Sequence, residues 1–141
     1  MRERRSGRVE LWGGWSLVLP SECVVERSAD GPWAAWDDRH AIDVQILETS
    51  GHKSGRPMTA DEMLGRDTNI TGDGWIGSLE VLQEQSDGRQ ATRYALKAAA
   101  QNTWISCWVS FLDPAELAWA KQVSLGLQHQ QPQSRLRLRR R

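Results

Sequence analysis

The stretch "TWISCWVSFLDPAELAWAKQVSLGL", residues 103–127, holds two periods in one run. Over 103–112 it alternates. Ile105, Cys107, Val109 and Phe111 fall on one side of an extended chain, and Trp104, Ser106, Trp108 and Ser110 on the other. The alternation stops at Asp113, a good N-terminal cap. Pro114 then takes the first helical position, where its missing N–H is no loss. Beyond it Leu117, Trp119, Ala120, Val123 and Leu127 recur on one helical face. The run therefore predicts a long strand, apolar on one side, feeding a capped helix that ends near Leu127.

The rest of the chain adds hairpins. "WSLVLP" sets Trp15, Leu17 and Leu19 on one face before Pro20 ends the run, and "CVVER" predicts a second short strand. "WAAW" (33–36) and "AIDVQILE" (41–48) follow the Asp30-Gly31-Pro32 turn, with Ile42, Val44 and Ile46 opposite Asp43 and Gln45. Between these two strands Asp37, Asp38, Arg39 and His40 are turn-type residues. In "TADEML" Thr59 can cap and Glu62 can reach back, a capping box that predicts a short helix over about 59–66. "SLEVLQEQ" and "QATRYALKAAA" predict a hairpin through Asp87-Gly88. The expected fold class is α+β: a largely antiparallel sheet of about six or seven strands covered by two helices, in the order ββββ-α-βββ-α. One domain is expected over 11–128, between a flexible basic N-terminus (1–10) and a flexible Arg-rich C-terminal tail (129–141).

Composition bounds the function. A chain of 141 residues is one domain's length and can bury roughly two-thirds of its unfolded surface, so it needs no metal or disulfide staple. Eight Trp stand against one Tyr and one Phe, so indole carries the aromatic volume and each buried ring asks for an N–H partner. The net charge of zero hides an asymmetry: residues 11–131 hold nine basic and sixteen acidic side chains, between Arg-rich ends. An acidic body repels polyanions, which argues against nucleic acid as a partner. No apolar run follows the basic start and none approaches the ~18 residues of a membrane span, so a cytoplasmic protein is expected. Cys23 and Cys107 lack redox or zinc spacing and suit buried thiols.

Candidate sites divide by chemistry. Asp37, Asp38, His40 and Asp43 offer donors for a small ligand or a metal, but Asp37 and Asp38 are adjacent and point apart in extended chain, so a hairpin tip is the plainer reading. "DTNITGDG" resembles the first half of a calcium loop through Asp67, Asn69, Thr71 and Gly72, yet Ser78 stands where a bidentate Glu belongs. "NIT" at Asn69 is a glycosylation sequon by pattern only. "GHKSGR" offers Lys53 and Arg56 to an anion without P-loop spacing, and Ser54 near His52 lacks a nucleophile elbow. No catalytic, cofactor or metal residues are assigned. The outward phase of 103–112 remains: Trp104, Ser106 and Trp108, joined by Trp36, are the candidate partner-binding residues, because Trp presents large area at small entropic cost. Trp33 and Trp36 differ by three and face opposite sides, so one of them belongs to the core.

The segments "GGWSLVLP", "DGPWAAWDDRHAIDVQIL", "TADEML" and "FLDPAELAWAKQVSLGL", spread over 11–128, give an ordering that resembles the PsbP-like α/β superfamily. That resemblance implies an antiparallel sheet flanked by helices and a non-catalytic role. Proteins of this type are accessory subunits, adaptors for a small GTPase, or bacterial chaperones that shield hydrophobic segments of secreted effectors. The expected function is a non-enzymatic protein-binding domain, monomeric or homodimeric, acting as chaperone, adaptor or toxin-neutralising partner. The alternative is a small-ligand or metal-binding domain using Asp37, Asp38 and His40.

Overall fold

The strand expected over 103–112 forms, and its neighbours on both sides set the architecture. The computed structural model of the chain describes residues 2–27, 32–49, 54, 57–64 and 68–130. Its strands are β1 (Arg2–Glu10), β2 (Trp15–Arg27), β3 (Trp33–Trp36), β4 (His40–Glu48), β5 (Ile70–Gly72), β6 (Trp75–Ser86), β7 (Arg89–Ala100), β8 (Thr103–Phe111) and β9 (Gln128–His129). The helices are α1 (Ala60–Leu64) and α2 (Leu117–Leu125), the latter entered through a 3-10 turn, Pro114–Glu116. All nine strands belong to one antiparallel sheet, ordered β1-β2-β3-β4-β8-β7-β6-β5, with β9 paired to β2 off that path.

This overturns the expected ββββ-α-βββ-α order and the two covering helices. The observed order is ββββ-α-ββββ-α-β, and α1 is five residues long. "WSLVLP" and "CVVER" are one strand of 13 residues, because Pro20 lies where the β1–β2 register shifts, between Gly7↔Leu19 and Arg5↔Cys23. A proline there removes no ladder bond. Residues 2–10, read as a flexible end, pair along β2 as β1. β5 and β9, of three and two residues, are too short for alternation to reveal them. The expected tail and the "GHKSGR" loop fall mainly on 131–141 and 50–56, outside the described residues apart from the 54 position.

The local signals that were read do operate. Asp113 Oδ1 accepts from Ala115 N at 2.9 Å ahead of Pro114. Thr59 and Glu62 exchange bonds, Glu62 N to Thr59 Oγ1 and Thr59 N to Glu62 Oε1, both 3.3 Å. Asp87 (φ 51°) and Gly88 (φ 76°) make the left-handed pair that turns β6 into β7.

The inner face of the sheet holds the core. Register aligns Trp33, Val44, Cys107 and Leu96 in one row and Ala35, Ile42, Val109 and Tyr94 in the next, all buried. α2 packs against β2 and the end of β8, burying Ala120 and Val123. Trp15 and Trp75, both buried, solve the indole N–H problem across long sequence distances. Trp15 Nε1 donates to Thr103 Oγ1 at 3.0 Å, and Trp75 Nε1 donates to the Leu127 carbonyl at 2.9 Å. Each of these rings follows a glycine with positive φ, Gly14 (87°) and Gly74 (86°).

Those two glycines form a seam. Residues 128–130 pass between them: Gln130 N donates to Gly14 O at 2.9 Å and His129 N to Asp73 O at 3.0 Å. A Cβ on Gly14 would collide with the Gln130 carbonyl, and one on Gly74 with that of His129. β9 thus ties the start of β2 to the turn before β6, and the sheet curls around its core.

Candidate interaction surface

The hairpin tip between β3 and β4 brings Asp37 and His40 together but leaves Asp38 out. His40 Nδ1 lies 2.9 Å from Asp37 Oδ1, and Nε2 lies 2.5 Å from Glu116 Oε1. Each ring nitrogen lies within hydrogen-bond distance of a carboxylate oxygen. The ring stacks on Trp119, centroids 3.8 Å apart, and Trp119 Nε1 donates to Ser21 Oγ at 2.9 Å. Burial pushes the Asp37 carboxyl up, but hydrogen bonds from the His40 ring and from the Arg39 and His40 backbone N–H groups outweigh it. The carboxyl is held below its ordinary 3.8. The arrangement straps the hairpin to the segment that starts α2. Both ring nitrogens are taken up by these carboxylate oxygens. Asp38 is exposed, in a depression of about 410 Å³ with Arg4, Glu22, Val24 and Trp36. Among the described residues no group of three His, Cys, Asp or Glu is placed to hold a metal ion.

The other pattern-based candidates are spent on structure. The Asn69 side chain accepts from Leu79 N at 2.8 Å and donates to Leu79 O at 3.1 Å, while Gly72 lies under the Trp75 ring. Asp67 lies outside the described residues. Burial, with a smaller push from Asp37 and Glu22, raises the Cys23 thiol to about 11; burial and Asp43 raise Cys107 to about 12. Both thiols are therefore protonated and inert at neutral pH. His129 donates from Nε2 to Gly13 O at 3.0 Å beside Trp15.

The outer face of the sheet is different. Register places Ala34, Asp43, Trp108, Ala95 and Glu80 in one row across five strands. The adjacent row reads Val24, Trp36, Ala41, Ser110, Arg93 and Leu82. Ser106 lies between Gln45 and Lys97, and Trp104, half-buried, between Leu47 and Ala99. Small residues keep the middle low, so the indoles stand above it. Trp108 is 41% exposed, with the Arg93 guanidinium 5.5 Å from its ring centre. Trp36 has Arg2 over its ring at the same distance.

α1 covers one corner of this face, packing on β6 and β7. A groove of about 760 Å³ runs between α1 and the sheet, lined by Met63, Leu64, Glu80, Leu82, Lys97 and Trp108 among others. Of the four sequence candidates, Trp104, Ser106 and Trp108 share one face of β8. Trp36 sits two strands away, in the depression with Asp38. Sequence reasoning missed Leu82, Glu80, Lys97 and α1's contribution. Their phase was readable in "SLEVLQEQ" and "QATRYALKAAA", but only the β6–β7–β8 register brings them beside Trp108.

No known protein family matches the chain by sequence, and no curated protein matches it. Among solved structures, its fold is similar to that of a chain from Bacteroides thetaiotaomicron VPI-5482. The TM-score is 0.64 at 10% identity, over 93% of this chain and 48% of that one. The chain thus spans about half the length of that relative, and at such identity the likeness is one of fold. Among the described residues no helix is long and apolar enough to cross a membrane.

Proposed function

We propose that the chain binds another protein through the outer-face groove, with Trp108 as the anchor and Leu82, Met63 and Leu64 as its apolar surround. The observation that carries this reading is a large indole held 41% exposed on a sheet face whose opposite side is a closed core. Folding makes little use of that indole, and an indole beside apolar neighbours with a charged rim suits an interface. Lys97, Glu80 and Arg93 form the rim and set orientation more than affinity. Among the described residues His40 is held by Asp37 and Glu116 and both thiols are buried, so none of them serves as a nucleophile at the groove.

The test is affinity capture from a lysate of the source cells, with the wild-type chain, a Trp108→Ala/Leu82→Ser variant and a Leu125→Ser control. Leu125 is 80% exposed and lies outside the groove. A protein captured by the wild type and the control but lost from the double variant supports the reading. Equal capture by all three, with the variants folded, overturns it.

A further inference from the structure

The two long margins of the sheet are treated unequally. β1, at one edge, carries Arg2, Arg4, Arg5 and Arg8, and a register shift at Gly7, whose φ is 76°. Charge and a bulge of this kind blunt an edge against further pairing. On the other side β5 covers only the first residues of β6, with Gly72↔Trp75 to Ile70↔Gly77. The Asn69 amide then imitates one more strand residue on Leu79. Beyond it β6 continues in unbroken register with β7 to Ser86↔Arg89.

Gly77 O and Leu79 N and O face this margin, so by the two-residue period Val81, Gln83 and Gln85 also turn their N–H and C=O groups to it. Among the described residues nothing pairs with them there. The segment has no Lys, Arg, Pro or bulge, and Val81 is 52% exposed on the inner side. Its outer side chains, Glu80, Leu82 and Glu84, border or adjoin the Trp108 groove.

Resting on the proposed function above, we infer that the partner contributes an extended segment that adds as a strand to β6 along Glu80–Gln85, alternating basic and apolar side chains. Strand addition satisfies the edge groups of Val81, Gln83 and Gln85. Basic side chains on the outer phase meet Glu80 and Glu84, the only charged residues of β6, the latter shared with Arg93 at 3.5 Å. Apolar side chains on the inner phase cover Val81. In a second copy added antiparallel about Leu82, Glu80 lies directly opposite Glu84 of that copy, and like charges so placed repel.

The probe is a fluorescent, N-acetylated eight-residue peptide alternating Arg and Leu, titrated by anisotropy into the full chain. Two further peptides carry N-methyl groups on alternate amides, in opposite phases. The expected result is that the parent binds, one methylated phase binds like it, and the other is weakened more than tenfold. That outcome follows because the loss from each edge hydrogen bond multiplies over the strand. Glu80→Lys/Glu84→Lys weakens the parent roughly tenfold, and a Glu-Leu peptide does not bind. Gln83→Pro, which removes one edge N–H and the bond from Thr92 Oγ1 at 3.3 Å but no backbone bond to β7, weakens binding without unfolding the protein.

Equal binding of both methylated peptides overturns strand addition. If Trp108→Ala still abolishes capture in that case, the groove reading survives alone. Peptide binding only after truncation at Gln130 makes the occupant the chain's own C-terminal residues. A dimer dissolved by Gln83→Pro makes it a second copy. Either result overturns an external partner strand.

Discussion

Trp15 and Trp75 belong to the inside of the molecule, and Trp36 and Trp108 to the outer face; the fate of their indole N–H groups separates them. The inner pair donate to Thr103 Oγ1 and the Leu127 carbonyl, bonds that join segments 88 and 52 residues apart. The outer pair instead carry arginines over their faces, at 5.5 Å in both cases. Removing a residue of the first kind breaks the fold's long-range ties. Removing one of the second kind clears a surface. These four rings therefore serve two purposes, while Trp33, buried on the inner face, keeps its indole N–H without a partner among the described residues.

The sharpest way to break this contrast is by truncation. Trp15→Ala should destabilise the protein by about 3–5 kcal/mol in denaturant unfolding, through the cavity and the lost bond to Thr103, whose hydroxyl keeps, among the described residues, only the Leu47 carbonyl. A small loss would mean the inner ring is not structural. Gly74→Ala should follow at about 2 kcal/mol or more, from strained backbone and the collision with the His129 carbonyl, with the seam loosening first by amide exchange. His40→Ala should lose roughly 2–3 kcal/mol, because Asp37 and Glu116 lose a shared donor. Trp108→Ala should change stability by about 1 kcal/mol or less.

Acidity gives a subtler comparison of the same regions. Burial holds His129 below its ordinary 6.5, against the opposing pull of the Gly13 carbonyl and Glu48. The unfolded chain then takes up a proton near that value that the folded chain refuses. The contribution is full above pH 6.5 and fades as pH falls through the lower folded value. Asp37, also depressed, contributes above its ordinary 3.8 and is lost further down. Unfolding free energy measured from pH 7 to 5 should therefore decline, and His129→Gln should flatten that decline. An unchanged slope in the variant would place the titration elsewhere.

Individual elements were legible because their signals are local, while the expected sheet covered by two helices was not the fold. The cap at Asp113, the box of Thr59 and Glu62, the Asp87-Gly88 turn and the inner phase of β8 all depend on residues within a few positions. The ladder order was not legible, since β4 pairs with β8 across more than 50 residues and no short window encodes that. β1 was missed because strand pairing overrides an arginine-rich composition, and Pro20 misled because its bulge was invisible. For the candidate surface, the outward phase of Trp104, Ser106 and Trp108 was readable. The short reach of α1, which leaves Trp108 uncovered, was not. Asp37 and His40 read as a hairpin tip, but Glu116, which completes their strap, lies 76 residues beyond His40.

The most direct measurement uses the tryptophans as reporters. Each of the eight indoles gives its own N–H signal in a 15N-correlated NMR spectrum, and the Arg-Leu peptide is titrated into the labelled chain. The Trp108 signal should move together with the backbone amides of Val81, Gln83 and Gln85, while Trp15 and Trp75 stay in place. A Trp108 signal that does not respond, or inner indoles that shift as far as the outer ones, would contradict the outer face as the binding surface.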